Sequence, residues 1–247
     1  MVKSVISSKD NKKIKDYRKL NTTKGRKKSG LFLIEGEHLV EEAIKHGVNF
    51  EEIIISEGFD HDLELSNKAL MYVTEEVMKS LSSLETPPGI IAIVKSVKER
   101  KLSYNRVLLL ENIQDPGNLG TLIRTADAFG FKTIIVSPDT VDPYNPKVLR
   151  AAQGSHFHLN ILTRQVSEAV MAFKGLKIGT SLDDAVYIDS FNKPDDDIML
   201  VLGNEGSGLR EDTLNMMDIN AKIDMVGDSE SLNVAIAGAI LMHHFKS

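Results

Sequence analysis

The chain has 247 residues, 42% of them apolar, enough for one large domain or two smaller ones. It has no Cys, which excludes a disulfide framework, a thiolate metal site and a thiol nucleophile. The net charge of −5 hides an uneven split, because the first 30 residues hold eleven Lys/Arg against two Asp/Glu; a basic end on an acidic body points to an anionic partner for that end, the plainer alternative being a solvated tail.

Taken in order, Asn11 to Leu20 is predicted helical, with Ile14, Tyr17 and Leu20 on one side. Asn21 to Gly30 reads as a basic, Gly-punctuated loop whose amides and Lys/Arg suit phosphate contacts. A strand over Leu31–Ile34, a helix over His38–His46, a strand at Ile53–Ile55, a helix opened by Thr74, and a strand over Ile90–Val94 complete a small α/β unit. The charged stretch Lys95 to Ser103 lacks an apolar period and marks a boundary, giving expected domains 1–97 and 98–247.

Beyond it, predicted strands at Val107–Leu110, Lys132–Val136, Phe157–Ile161, Lys177–Thr180, Met199–Leu202 and Ala221–Asp224 alternate with helical patterns. These helices cover Asn118–Phe129, Pro146–Ala152, Gln165–Phe173, Leu209–Met216 and Leu232–Phe245. Such alternation predicts an α/β fold with a mostly parallel sheet flanked by helices. No N-terminal signal stretch is evident, and the run Val234 to Met242 is about half a bilayer span. The expectation is a cytoplasmic protein with no membrane partner.

Three stretches gather polar residues where a strand meets a helix, the place where open α/β sheets bind ligands. In the first, Glu111-Asn112-Ile113-Gln114-Asp115-Pro116-Gly117-Asn118 runs into a helix that carries Arg124. Alone, Asn118 is a plausible cap and Arg124 a solvated side chain. In the second, Leu202-Gly203-Asn204-Glu205-Gly206-Ser207-Gly208-Leu209 holds three glycines that permit close approach to backbone. Neither a Gly-x-Gly-x-x-Gly fingerprint nor a Walker-type Lys-Ser/Thr stands there, and a Glu inside the loop repels phosphate. In the third, Ile223-Asp224-Met225 leads through a polar loop to Ser231-Leu232-Asn233, with Ser231 a plausible cap for an Ala/Gly-rich final helix. That helix is apolar nearly all round, so it belongs in a core or a subunit interface.

Together and in this order, these segments resemble the SpoU (TrmH) family of RNA ribose 2′-O-methyltransferases in the SPOUT superfamily, and the segment before about Lys95 looks like the family's N-terminal substrate-binding domain, similar to small ribosomal RNA-binding proteins. Asp224 and Ala235 depart from the family pattern, in which many members carry Pro at the first of these positions and Ser at the second. The resemblance implies a deep trefoil knot in the C-terminal domain, contrary to the general rule against threaded loops. It also implies a homodimer and S-adenosylmethionine as cofactor, held by Thr180, Leu202, Gly203, Asn204, Gly206, Ile223, Met225 and Leu232. Arg124, Asn118, Glu205, Ser231 and Asn233 are the implied catalytic set. RNA would be the partner because the reaction needs a 2′-hydroxyl, with Arg18, Lys24, Arg26, Lys27 and Lys28 as phosphate contacts, and ribosomal RNA is preferred to transfer RNA by analogy. His156, His158, His243 and His244 match no family function and read as structural or surface residues, so no metal is expected. The alternatives are a transfer-RNA methyltransferase, a non-catalytic RNA-binding or ribosome-assembly factor of the same fold, and a nucleotide-dependent dehydrogenase, against which the missing glycine fingerprint argues.

Overall fold

The computed structural model describes residues 4–66, 68–95, 105–182, 184–190 and 197–246. The expected linker, apart from Lys95, lies outside them. Two compact bodies result, Met1–Lys98 with Tyr144–Phe157, and Glu99–Pro143 with His158–Ser247, in their described parts.

The first body contains β1 (Val5–Ile6), α1 (Lys12–Arg18), α2 (Thr23–Ser29), β2 (Leu31–Glu35), α3 (Glu37–Lys45), β3 (Phe50–Ser56), β4 (Leu70–Val73), α4 (Glu75–Leu81) and β5 (Ile90–Lys95). Its sheet runs β1-β4-β3-β5-β2, with β5 antiparallel to both neighbours. Alternation along the strands sorts the core into two layers. Ile53, Ile55, Phe32 and Ile34 face α3, while Ile54, Leu33, Ile91 and Ile93 pack with Ile14, Tyr17, Val77 and Met78 of α1 and α4. Glu52 is buried and accepts hydrogen bonds from Tyr17 Oη at 2.8 Å and Lys13 Nζ at 3.1 Å. Burial, then the Glu52 carboxylate, pushes the Tyr17 hydroxyl far above its ordinary pKa.

The basic segment predicted as a loop is instead the helix α2. Thr22 Oγ1 accepts the Gly25 amide at 3.1 Å, and Gly30 ends the helix in left-handed geometry with φ 67°. Both are ordinary helix-end devices, and Arg26, Lys27 and Lys28 in the last turn favour the negative end of the helix dipole. Gly25 is required by packing, because a Cβ there would lie 2.0 Å from the Lys19 carbonyl oxygen. Thr74 precedes α4 as expected, but its side chain makes no capping bond.

The second body begins with β6 (Arg106–Leu110), α5 (Pro116–Ala128) and β7 (Thr133–Val136). The next helix, α6 (Pro146–Ala152), belongs to the first body, where Leu149 and Phe157 join the core around Phe32 and Leu39. The second body resumes with β8 (Asn160–Thr163), α7 (Val166–Ala172), β9 (Leu176–Thr180), β10 (Val186–Tyr187), β11 (Ile198–Leu202), α8 (Glu211–Leu214), β12 (Ile219–Lys222) and α9 (Val234–His244). Its seven described strands are ordered β10-β12-β9-β11-β6-β7-β8 and pair in parallel throughout. Central strands buried on both faces read as unbroken apolar runs, which is why Val107–Leu110 and Met199–Leu202 were legible.

Several boundaries differ from the prediction. Strand β12 covers Ile219–Lys222, two residues ahead of the expected Ala221–Asp224, so Ile223 and Asp224 lie in the loop after it. Phe157 closes a short 3-10 turn, so β8 starts at Asn160. Helix α8 is a single turn, shorter than the Leu209–Met216 pattern suggested. The cap of α9 is Asn233 rather than Ser231, its Oδ1 accepting the amides of Ala235 at 2.9 Å and Ile236 at 3.3 Å. Small residues in α9 serve close packing, since a Cβ at Gly238 would meet Leu122 at 2.4 Å and Leu202 at 2.8 Å. The opposite side of α9 leaves Ile236 52% and Ile240 37% exposed. Among the described residues, no helix is long and apolar enough to cross a membrane.

Candidate active site

Strands β9, β11 and β12 are adjacent and parallel, so their carboxyl ends open on the same edge of the sheet. A cavity of about 370 Å³ lies there, lined by residues that follow each of the three strands and by the start of α9. All eight residues expected to hold a cofactor, Thr180, Leu202, Gly203, Asn204, Gly206, Ile223, Met225 and Leu232, line it, as do Glu205 and Ser231.

The loop after β11 is a closed block. Asn204 and Gly208 exchange both backbone hydrogen bonds at 3.0 Å. Gly208 takes φ 68°, and Asn204 Oδ1 accepts the amides of Gly206 and Ser207 at 3.0 and 3.1 Å. Gly203 lies so close to the returning strand that a Cβ would sit 2.2 Å from the Gly208 carbonyl carbon. The glycines therefore make a tight loop whose backbone faces the cavity, rather than a phosphate cradle.

Glu205 joins this loop to the first motif. Its carboxylate accepts the backbone amides of Gln114 at 3.2 Å and Asp115 at 3.1 Å, and the Asn118 side-chain amide at 3.2 Å. Burial pushes the Glu205 carboxyl up, but these donors together outweigh it and hold the group below its ordinary pKa. Asn233 Nδ2 donates to Asn118 Oδ1 at 3.0 Å, completing the chain Asn233–Asn118–Glu205. Asn118 lies in the first turn of α5 without capping it; the cap is Asp115, whose Oδ1 accepts the Asn118 amide at 2.8 Å.

Arg124 stands apart. It lies six residues along α5 from Asn118, roughly 9 Å along the axis at 1.5 Å per residue. It is exposed, and its side chain makes no hydrogen bond or ion pair among the described residues.

The basic set divides. Lys24, Lys27 and Lys28 are exposed on α2. Arg26 is only 6% exposed, with its guanidinium on the Leu20 carbonyl at 2.7 Å and on Thr23 Oγ1 at 3.1 Å. It braces α2 against the preceding turn and offers little surface to a phosphate, so the structure gives it a packing role where a phosphate contact was expected. Arg18 is half-committed, donating to Lys9 O and Ser80 Oγ.

Some site residues were missed. Lys222 and Glu230 line the cavity, with the Lys222 ammonium 4.8 Å from the centre of the Tyr187 ring. Asn112, at φ 56°, offers its carbonyl to Asn204 Nδ2 at 2.9 Å. An Asn between a buried strand and a turn tolerates that geometry, and this was the signal available.

A cavity of this size suits a small organic ligand. Leu202, Ile223, Met225, Leu232 and Val234 give it apolar walls fit for a purine, and Glu230 on the wall adds an acidic group suited to a cationic centre. The residues present therefore fit S-adenosylmethionine. Fold and site define an α/β protein with a small-molecule cavity at the carboxyl edge of a parallel sheet, beside an ordered carboxylate–amide chain.

The matching family models agree. Residues 105–243 match the SpoU rRNA Methylase family, and residues 11–92 match the MRM3-like substrate binding domain. The chain is 40% identical over 246 residues to the 23S rRNA (guanosine(2553)-2′-O)-methyltransferase RlmP of Bacillus subtilis, covering 98% of each chain. A crystal structure of an RNA 2′-O ribose methyltransferase superposes with TM-score 0.82 at 30% identity over 98% of each chain. An AdoMet-bound rRNA methyltransferase from Sinorhizobium meliloti gives TM-score 0.86 at 26% identity, over 98% of this chain and 97% of that one. The chain belongs to the SpoU rRNA methylase family.

Proposed function

We propose that this chain transfers a methyl group from S-adenosylmethionine to a ribose 2′-hydroxyl of ribosomal RNA. The observation that carries the reading is the convergence, at one cavity, of all eight expected cofactor residues with the Asn233–Asn118–Glu205 chain at its edge. Membership of a family with B. subtilis RlmP and the AdoMet-bound S. meliloti enzyme supports both the cofactor and the choice of RNA.

When bound, the cofactor supplies an electrophilic methyl on a sulfonium. The task left to the protein is to make a ribose hydroxyl nucleophilic at neutral pH. Arg124 stays protonated in nearly any setting, so its role is electrostatic: it pairs with the neighbouring phosphate and stabilises the developing alkoxide. The hydroxyl proton passes to that phosphate. Glu205, ionised and fixed by backbone amides, holds Asn118, and Asn118 holds Asn233. This chain orients the ribose, with Ser231 on the cavity wall. Gly203, Asn204 and Gly206 would hold the cofactor through backbone groups, with Thr180, Leu202, Ile223, Met225 and Leu232 lining the same cavity.

Residues 1–97 act as the RNA-binding domain and 98–247 as the methyltransferase domain. Exposed Lys24, Lys27 and Lys28 supply phosphate contacts. The strand-end loops around Gly203, Ile223 and Leu232 form the trefoil knot, and the protein works as a cytoplasmic homodimer, for which the exposed Ile236 and Ile240 of α9 supply an apolar stripe.

Calorimetry with S-adenosylmethionine, followed by labelled methyl transfer to separated ribosomal and transfer RNA, tests the proposal. Cofactor binding with incorporation into ribosomal RNA is expected. Incorporation into transfer RNA alone would replace the substrate, and absence of cofactor binding would favour a non-catalytic RNA-binding role.

A further inference from the structure

Glu111 is the most deeply buried carboxylate near the site, 1% exposed, yet it does not line the cofactor cavity. It stands immediately after β6, and its backbone amide donates to the Leu202 carbonyl at 2.8 Å. Its side chain reaches the far end of the 203–209 loop. Oε2 accepts the Arg210 amide at 3.0 Å, Oε1 accepts Thr213 Oγ1 at 2.8 Å, and the Arg210 guanidinium lies 3.6 Å away. The same guanidinium pairs with Asp139.

One residue thus grips both ends of the Gly-rich loop, the entry at Leu202 through backbone and the exit at Arg210 and Thr213 through its carboxylate. Between these points lie Gly203, Asn204 and Gly206, which face the cavity, and Glu205, which anchors Asn118. The Asn204–Gly208 pairing makes the loop a stiff block. Displacing its exit therefore displaces the whole block. Burying a carboxylate is a poor device for stability alone, because desolvation offsets most of the pairing energy. Fixing the register of a loop is a better-attested use of such a group.

We propose that Glu111 is a positioning residue of the methyltransferase site. It docks the exit of the 203–209 loop so that the cofactor-facing backbone and Glu205 are in place before any ligand arrives. This rests on the methyltransferase reading above. Glu111 touches neither cofactor nor RNA, so its effect passes through the loop: it sets cofactor affinity through the cavity-facing backbone, and turnover to a smaller extent through Glu205 and Asn118.

The test compares the full-length chain with Glu111→Gln and Glu111→Asp. Calorimetry with S-adenosylmethionine, methyl transfer at varied cofactor, and amide hydrogen exchange are measured on each. In Glu111→Gln the expected result is cofactor affinity weakened about tenfold, the effect of roughly one buried hydrogen bond to a charge. Turnover at saturating cofactor should fall by less than affinity does, and exchange should speed up at Gly206, Gly208 and Arg210 but not along β2 to β5. Glu111→Asp, which keeps the charge on a shorter stem, should restore part of the affinity. Should Glu111→Gln fail to fold, Thr213→Val removes one donor only, and a smaller loss of affinity with the same local exchange pattern is expected. Unchanged affinity and unchanged loop exchange would overturn the positioning role. So would a fall in turnover with affinity intact, or protection lost evenly through the second body. Failure of the wild-type chain to bind the cofactor would overturn the functional reading instead, leaving loop exchange in the variants as the measure of Glu111.

Discussion

The Gly-rich loop after β11 and the basic helix α2 are both short polar segments rich in functional residue types, yet they are built on opposite terms. In the loop, Asn204, Glu205 and Gly208 are fixed by bonds to backbone: Asn204 on Asn112, Glu205 on Gln114 and Asp115, Gly208 on Asn204. Each side chain has one place to go, so a motif predicts a geometry. In α2 the positive charges are chemically interchangeable on paper, and the fold separates them, burying Arg26 and leaving Lys24, Lys27 and Lys28 outside. Charge composition points to an anionic partner, but not to which cations are free to meet it.

The largest effect should come from the residue that neither network restrains. Arg124→Ala is expected to lower methyl transfer by about 10³-fold, as for loss of a principal charge-stabilising group, while cofactor affinity by calorimetry stays near wild type. Near-normal turnover would remove Arg124 from the chemistry. Gly203→Ala should come next. A Cβ 2.2 Å from the Gly208 carbonyl carbon cannot be absorbed by a flexible side chain, so the loop must open, with about 1–3 kcal/mol lost in denaturant unfolding and cofactor binding weakened.

The basic helix offers the sharper contrast. Replacing Lys24, Lys27 and Lys28 with Ala should leave stability nearly unchanged and reduce the salt dependence of RNA binding by about 2 in log–log slope. Arg26→Ala should do the reverse, costing about 1–3 kcal/mol from the unsatisfied Leu20 carbonyl and lost packing with the slope unchanged. A matching loss of slope would mean that Arg26 reaches the RNA after all. Smaller still, Asn233→Ala removes the α9 cap at about 1 kcal/mol, and also the bond to Asn118, so activity should fall further than stability implies.

The smallest effect is one of pH. Because the Glu205 carboxyl is held below its ordinary value, the folded state prefers it ionised. That contribution is complete above the unfolded pKa, near 4.3 to 4.5, and is lost only as pH falls through the lower folded value. Cofactor affinity should therefore be insensitive to Glu205 between about pH 8 and 5.5. A Glu205→Gln variant whose ratio to wild type changes across that range would contradict the assignment.

Much of this was legible beforehand because central parallel strands advertise themselves. Val107–Leu110 and Met199–Leu202 are apolar without interruption, and the polar residues after them mark the ligand edge. The edge strands Val5–Ile6 and Val186–Tyr187, two residues each, carry no such pattern. Helix α2 was hidden by its glycines: Gly25 reads as a breaker until its contact with the Lys19 carbonyl is seen. Asn233 rather than Ser231 caps α9 because the helix begins at Val234, where the Asn233 side chain accepts two amides, a choice the stretch Ser231-Leu232-Asn233 leaves open. The role of Glu111 was illegible for another reason. Its partners, Arg210 and Thr213, lie about a hundred residues away, and nothing local distinguishes a buried acid at a strand end from a solvated one.

The most direct measurement is to incubate the protein with labelled S-adenosylmethionine and ribosomal RNA from cells lacking this enzyme, then digest the RNA and identify the labelled nucleotide. A single nucleotide carrying the label on its ribose 2′-oxygen is expected, absent with Arg124→Ala. Label on a base, or turnover that survives that substitution, would contradict a site in which Arg124 and the Asn233–Asn118–Glu205 chain direct methyl transfer to a ribose hydroxyl.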